Sequence, residues 1–199
     1  MQSGCYPAPV SESSLTASLL VAMPQLQDPN FERTVMMVVQ HDEEGTFGLV
    51  LNRPVDMSAQ ELCEGLEMHW GGEPETPLHW GGPVQPQTGW MLYAHTDVLA
   101  PTEEVEEEST DLGHGVFFAG SLNVLRQIAE EPPGDVRLFL GYAGWGPGQL
   151  ESEMAEGVWL TAPSSREAVF DVEAESLWDY VVRSLGIDPS TLILTPGVH

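Results

Sequence analysis

The residues able to do chemistry are six histidines, two cysteines and a large surplus of carboxylates, and their spacing limits what each can do. His41, His69, His79, His95, His114 and His199 show neither HxH nor HExxH spacing, so no metal centre or metal cofactor is written into the local sequence. His41-Asp42 and His95 would give a small-molecule enzyme its pocket if they met Asp28 in space. The competing reading makes each a hydrogen-bonded residue at a strand end. No GxSxG elbow occurs, and Ser121 serves better as a helix cap than as a nucleophile. Cys63 lies between Glu61 and Glu64, which would raise its pKa rather than activate it.

The stretch Gly141-Tyr142-Ala143-Gly144-Trp145-Gly146-Pro147-Gly148 lies between a strand pattern and a helix pattern, as phosphate loops do. Its spacing is neither GxxxxGK[ST] nor GxGxxG, and Glu151 and Glu153 would repel a phosphate there. It reads as a tight turn in which Tyr142 and Trp145 cover the sheet edge. The acidic run Glu103, Glu104, Glu106, Glu107 and Glu108 lacks the interleaved glycine of a calcium loop and reads as a solvated loop.

Charge narrows the partners. Six basic residues, all arginine, stand against 31 acidic ones, for a net charge of −25. Scarce arginine with no lysine is the composition expected in a cytoplasm at molar salt, where the Debye length is about 3 Å and like charges are screened. Salt-dependent folding follows. The arginines at 33, 53, 126, 137, 166 and 183 stand singly, which argues against a general grip on nucleic acid. No run of 18 apolar residues spans a membrane. Residues 1–14 have no signal-peptide pattern, and Cys5 and Cys63 are too few for a disulfide framework. These features give the expectation of a cytoplasmic protein.

The elements that must position these groups follow from apolar periodicity. Residues 1–14 read as a flexible tail and 15–199 as one domain. Leu15 to Met23, Val35 to Gln40, Phe47 to Leu51, Trp90 to Ala94, Val116 to Ala119, Val136 to Leu140 and Val158 to Thr161 read as strands. Asp42 to Gly45 is the turn of a strand pair, and residues 67–89, with their duplicated His-Trp-Gly-Gly, read as mostly loop. Asp28-Pro29 marks a helix start, Ser58 and Ser121 cap two more, and Leu177, Tyr180, Val181 and Leu185 face inward on a last helix. Strands that outnumber helices without strict alternation predict an α+β fold with a mixed or antiparallel sheet.

Five segments, in order, carry a resemblance across about residues 15–189. They are Met23-Pro24-x-Leu26-x-Asp28-Pro29-Asn30-Phe31, His41-Asp42-x-x-Gly45-x-x-Gly48-Leu49-Val50-Leu51-Asn52-Arg53-Pro54, Gly81-Gly82-Pro83-Val84-Gln85, Gly141 to Glu151, and Leu185-Gly186-Ile187-Asp188-Pro189. The chain resembles the bacterial YqgE/AlgH family. The resemblance implies a partly barrel-like sheet flanked by helices, and a label of transcriptional regulator without catalytic residues to carry over. It marks Asp28, Asn30, His41, Asn52, Arg53, Gly81, Gly82, His95, Tyr142, Trp145 and Gln149 as a candidate binding surface, with Glu151 beside them. The leading expectation is a non-enzymatic regulatory or binding protein with protein partners and a groove near Arg53, Gly81–Gly82 and Trp145. Nucleic-acid contact and a small-molecule enzyme or binder are the alternatives. Arg53 either forks onto a partner's carboxylate or phosphate, or pairs with one of the chain's own acids.

Overall fold

In the computed structural model of the protein, residues 15–26, 28–94 and 103–192 are described. The expected tail, Cys5, His95, His199 and the side chains of Glu104 and Glu106 lie outside them.

Strands β1 (Ser18–Ala22), β2 (Val35–Asp42) and β3 (Gly45–Val50) form around the apolar runs 19–22, 35–39 and 49–50. Both faces of these strands are covered, so alternation sorts the residues between two cores rather than between core and water. Val35, Met37 and Val39 enter one core, and Met36 and Val38 enter the other. The β2–β3 pair is the expected hairpin, closing at Asp42 and Gly45.

The chain continues through β4 (Pro54–Ser58), α1 (Ala59–Gly65), β5 (Pro77–Trp80), β6 (Val84–Ala94), α2 (Glu103–Glu107), β7 (Ser109–Asp111) and β8 (Val116–Ala119). It ends with α3 (Leu122–Glu130), β9 (Val136–Trp145), α4 (Gln149–Ala155), β10 (Trp159–Pro163), a π-turn at Glu167–Asp171, α5 (Ala174–Ser184) and α6 (Pro189–Leu192). The sheet runs β10-β1-β2-β3-β9-β6-β8-β7, with β4 and β5 branching from β9. All pairs are antiparallel except β5 with β9, so the sheet is mixed, as expected.

Strand β9 is the pivot. Its first half holds β5 (Leu78 beside Leu138), and its second half holds β3 (Phe47 beside Gly144). Two strands therefore share one edge of β9, and the sheet curls into a half-barrel. One core draws residues from both halves of the sheet, including Leu19, Met37, Leu49, Leu92 and Phe139, and so fills the curl. Helix α5 closes it with Leu177, Trp178, Val181 and Val182. Helices α1 and α3 cover the back of the β6–β9 half, and α4 covers the back of the β1–β3 half.

Four differences from the sequence reading have physical causes. Asp28 starts no helix: its Oδ1 accepts the Asn30 backbone N–H at 2.9 Å, which closes an Asx turn instead. Residues 67–89 hold β5 and the start of β6, because sheet pairing overrides their proline and glycine content. The acidic run forms α2 rather than a loop. Gly141 to Trp145 continue β9 instead of turning. There Gly141, at φ +71°, bulges the strand, so Phe139 and Tyr142 reach the same core three residues apart. The Ser58 and Ser121 caps form as expected, the first as a capping box with Glu61.

Candidate functional site

Of the eleven candidate residues His95 lies outside the described residues, and the structure distributes the other ten over three places. Gly81 and Gly82 are buried where β5 crosses onto β9. A Cβ on Gly82 would stand 2.1 Å from the Tyr142 carbonyl carbon, so only glycine fits. Tyr142 stacks on Phe47 inside the curl at 4.6 Å between ring centroids. These are packing roles.

The second place is the join between the β2–β3 hairpin and α4. His41 Nδ1 lies 2.7 Å from Thr46 Oγ1, its cross-strand partner, and His41 Nε2 lies 3.5 Å from Glu151. Trp145 is 7% exposed and donates its indole N–H to Glu153 at 3.0 Å. Trp159 donates to the same carboxylate oxygen at 2.7 Å. Gln149 donates to the other oxygen at 2.9 Å and accepts the Gly146 N–H at 3.1 Å. Glu153 thus fastens α4 to two tryptophans, and Trp145 presents no surface. Asp28 lies beyond the opposite end of β2 from His41. The six steps along the strand from Val35 to His41 alone span about 20 Å, so the strand keeps Asp28 and His41 apart.

The third place is a cleft, and it contains Arg53. Asn52 is buried; its Oδ1 accepts the Val35 N–H and its Nδ2 donates to the Arg33 carbonyl, each at 2.9 Å. This pins the chain leaving β3 to the chain entering β2. Arg33 and Arg53 are thereby held on neighbouring segments. Arg33, at φ +52°, pairs with Asp179 at 2.6 Å and lies 4.4 Å over the Trp178 ring. Arg53 donates to the main-chain carbonyl of Glu32 and, at 3.5 Å, to that of Asn52. Among the described residues no carboxylate lies within ion-pair distance of Arg53.

Two adjoining hollows form this cleft. One, of about 450 Å³, is lined by Arg33, Asn52, Arg53, Pro54, Glu175 and Trp178 among others. The other, of about 410 Å³, adds Pro24, Leu26, Asp28 and Pro29 and shares Glu32, Arg33 and Trp178. Asp28, Asn52 and Arg53 of the candidate set therefore line a single surface feature, and exposed Asn30 sits in the turn beside it. Arg33, Glu175 and Trp178 join them without any local signal in the sequence, since the fold alone brings α5 against the β2 entry.

The remaining cations are elsewhere. Arg137 donates to the carbonyls of Leu51, Phe170 and Val172, Arg166 pairs with Asp135, and Arg126 and Arg183 are exposed on α3 and α5. His79 is buried beside Arg137; burial first, and that guanidinium second, lower its pKa from 6.5 to about 4. Burial pushes the Cys63 thiol up, the direction expected from sequence, though the cause is burial rather than the flanking glutamates.

The arrangement agrees with known proteins across nearly its whole length. The AlgH-like family model (DUF179) matches residues 19–190. A UPF0301 protein of Myxococcus xanthus is 39% identical over 187 residues, covering 94% of this chain and 99% of that protein. One from Jannaschia sp. is 40% identical over 186 residues, covering 92% and 94%. The solution structure of the AlgH protein from Pseudomonas aeruginosa superposes with a TM-score of 0.72 at 32% identity, covering 97% of this chain and all (100%) of that one. The crystal structure of protein DIP2367 from Corynebacterium diphtheriae gives 0.70 at 26% identity and 90% coverage of both. With the same half-barrel and the same extent, this chain belongs to the AlgH-like family.

Proposed function

We propose that this chain is a non-enzymatic, cytoplasmic binding protein of regulatory type, and that a partner protein docks in the cleft of Arg33, Arg53 and Trp178. One observation carries the reading: in a chain with 31 acidic residues, Arg53 borders a cleft and has no carboxylate partner among the described residues. Its guanidinium is oriented by main-chain carbonyls, which leave its charge uncompensated. A fixed, planar cation beside a tryptophan and prolines suits a carboxylate side chain flanked by apolar residues. Asp28, Glu32 and Glu175 also line the cleft and would oppose a continuous run of phosphates more than a single carboxylate held by Arg53, so a protein partner fits better than nucleic acid.

The test is affinity capture of the tagged chain from its own lysate in molar potassium chloride, comparing wild type with Arg53→Ala and Arg53→Lys. The expected result is a protein captured by wild type and lost in both variants, since lysine cannot fork. Capture of a defined nucleic acid, or of the same proteins by all three baits, would overturn the proposal.

A further inference from the structure

The two adjoining hollows of the cleft offer opposite charges. The one that holds Arg53 presents a guanidinium with no acid on it among the described residues. The other presents the carboxylates of Asp28 and Glu32, neither of which makes an ion pair among the described residues. Arg33 lines both hollows, but its guanidinium is already held by Asp179 at 2.6 Å. Pro24, Leu26 and Pro29 wall the second hollow, so its acids stand beside apolar surface.

Unpaired acids are commonplace in a chain with six basic residues; closeness to Arg53 sets these apart. Arg53 donates to the main-chain carbonyl of Glu32, so the guanidinium touches the backbone of a residue whose side chain carries the opposite charge. Side chains at i and i+2 of an extended peptide point the same way about 7 Å apart, a reach that serves both charges at once. A lysine or arginine in the second hollow lays its methylene stem on the prolines and its cation on the acids. A purely apolar side chain would leave those acids unanswered, and a second acid would be repelled. Resting on the partner-docking reading above, we infer that the docked segment is an extended peptide with an acidic and a basic side chain two residues apart. The acid sits on Arg53, and the base sits on Asp28 and Glu32.

The test is selection from a random heptapeptide library displayed on phage, against the immobilised full chain in molar potassium chloride. That salt keeps contact pairs and removes longer-range attraction. Wild type is expected to enrich Asp or Glu two residues from Lys or Arg. With Arg53→Ala the acid should drop out of the selected sequences. With Asp28→Asn/Glu32→Gln the base should drop out and the acid remain. Asparagine closes an Asx turn as aspartate does and Glu32 is exposed, so this double variant keeps the fold. Glu43→Gln/Glu44→Gln makes the same change of charge beyond the far end of β2 and should select as wild type does. Fluorescence anisotropy of the most enriched peptide, made synthetically, should show binding about tenfold weaker for Arg53→Ala. It should be about fivefold weaker for Asp28→Asn/Glu32→Gln. Peptides with an Arg53-dependent acid and no base would overturn this inference and leave the carboxylate site standing. So would a base that survives Asp28→Asn/Glu32→Gln, or one lost equally with Glu43→Gln/Glu44→Gln. Selection of nothing that depends on Arg53 would overturn both.

Discussion

The Asn52 side-chain carbonyl accepts the backbone N–H of Val35 at 2.9 Å, and this bond fixes the end of β3 against the start of β2. The amide's other end holds the Arg33 carbonyl at 2.9 Å, so one buried side chain satisfies two main-chain groups. Asn52→Ala leaves both unpaired in the interior and should cost about 2–4 kcal/mol. Asn52→Asp keeps the acceptor but sets a carboxylate against the Arg33 carbonyl, and should be no better. Denaturant unfolding in high salt checks both; a loss under about 0.5 kcal/mol would contradict the assigned role.

Glu153 makes a parallel case on the other face. Its carboxylate accepts two indole N–H groups and the Gln149 amide, while α4 is only seven residues long and cannot stand alone. Glu153→Leu should destabilise the protein by about 2–3 kcal/mol and alter the near-ultraviolet spectrum of Trp145 and Trp159. An unchanged tryptophan spectrum would show that the indoles do not depend on it.

His79 sets a pH dependence. Folded, its pKa lies near 4; unfolded, near 6.5. Between those values the unfolded chain binds the extra proton, so stability rises with pH and is lost as pH falls from 6.5 towards 4. The full difference is about 3 kcal/mol at most. His79→Phe, which also removes the unpaired Nδ1, should flatten the stability curve across that window. Urea midpoints between pH 4 and pH 7 make the comparison, and parallel slopes for the two proteins would refute it.

Self-repulsion gives the fourth expectation. A net charge of −25 should lower the melting temperature as potassium chloride is reduced from molar to millimolar levels. Calorimetry across that range measures it. A constant melting temperature would remove the argument for adaptation to a saline cytoplasm.

Much of the fold was legible because its signals are local. The β2–β3 hairpin, both serine caps and the last helix each depend on a few neighbouring residues. The misreadings came where a distant partner decided. Pro77–Trp80 became a strand because β9 offered its edge, and Gly141–Trp145 stayed extended because β3 paired with it. Asp28-Pro29 carries the pattern of a helix cap, yet an aspartate closes an Asx turn equally well when the next strand begins soon after.

For the site, local residue types and spacing set the chemistry on offer: few cations, no local metal spacing, and Asn52-Arg53-Pro54 at a strand end. Tertiary structure alone decided which residues share a surface. It buried Gly81, Gly82 and Trp145, set Arg53 near Arg33 and Trp178, and left that guanidinium without an acid among the described residues. The physical reason is separation along the chain. Residues 33, 53 and 178 meet only after β2, β3 and α5 have packed, and no local pattern records a contact across 125 residues or more.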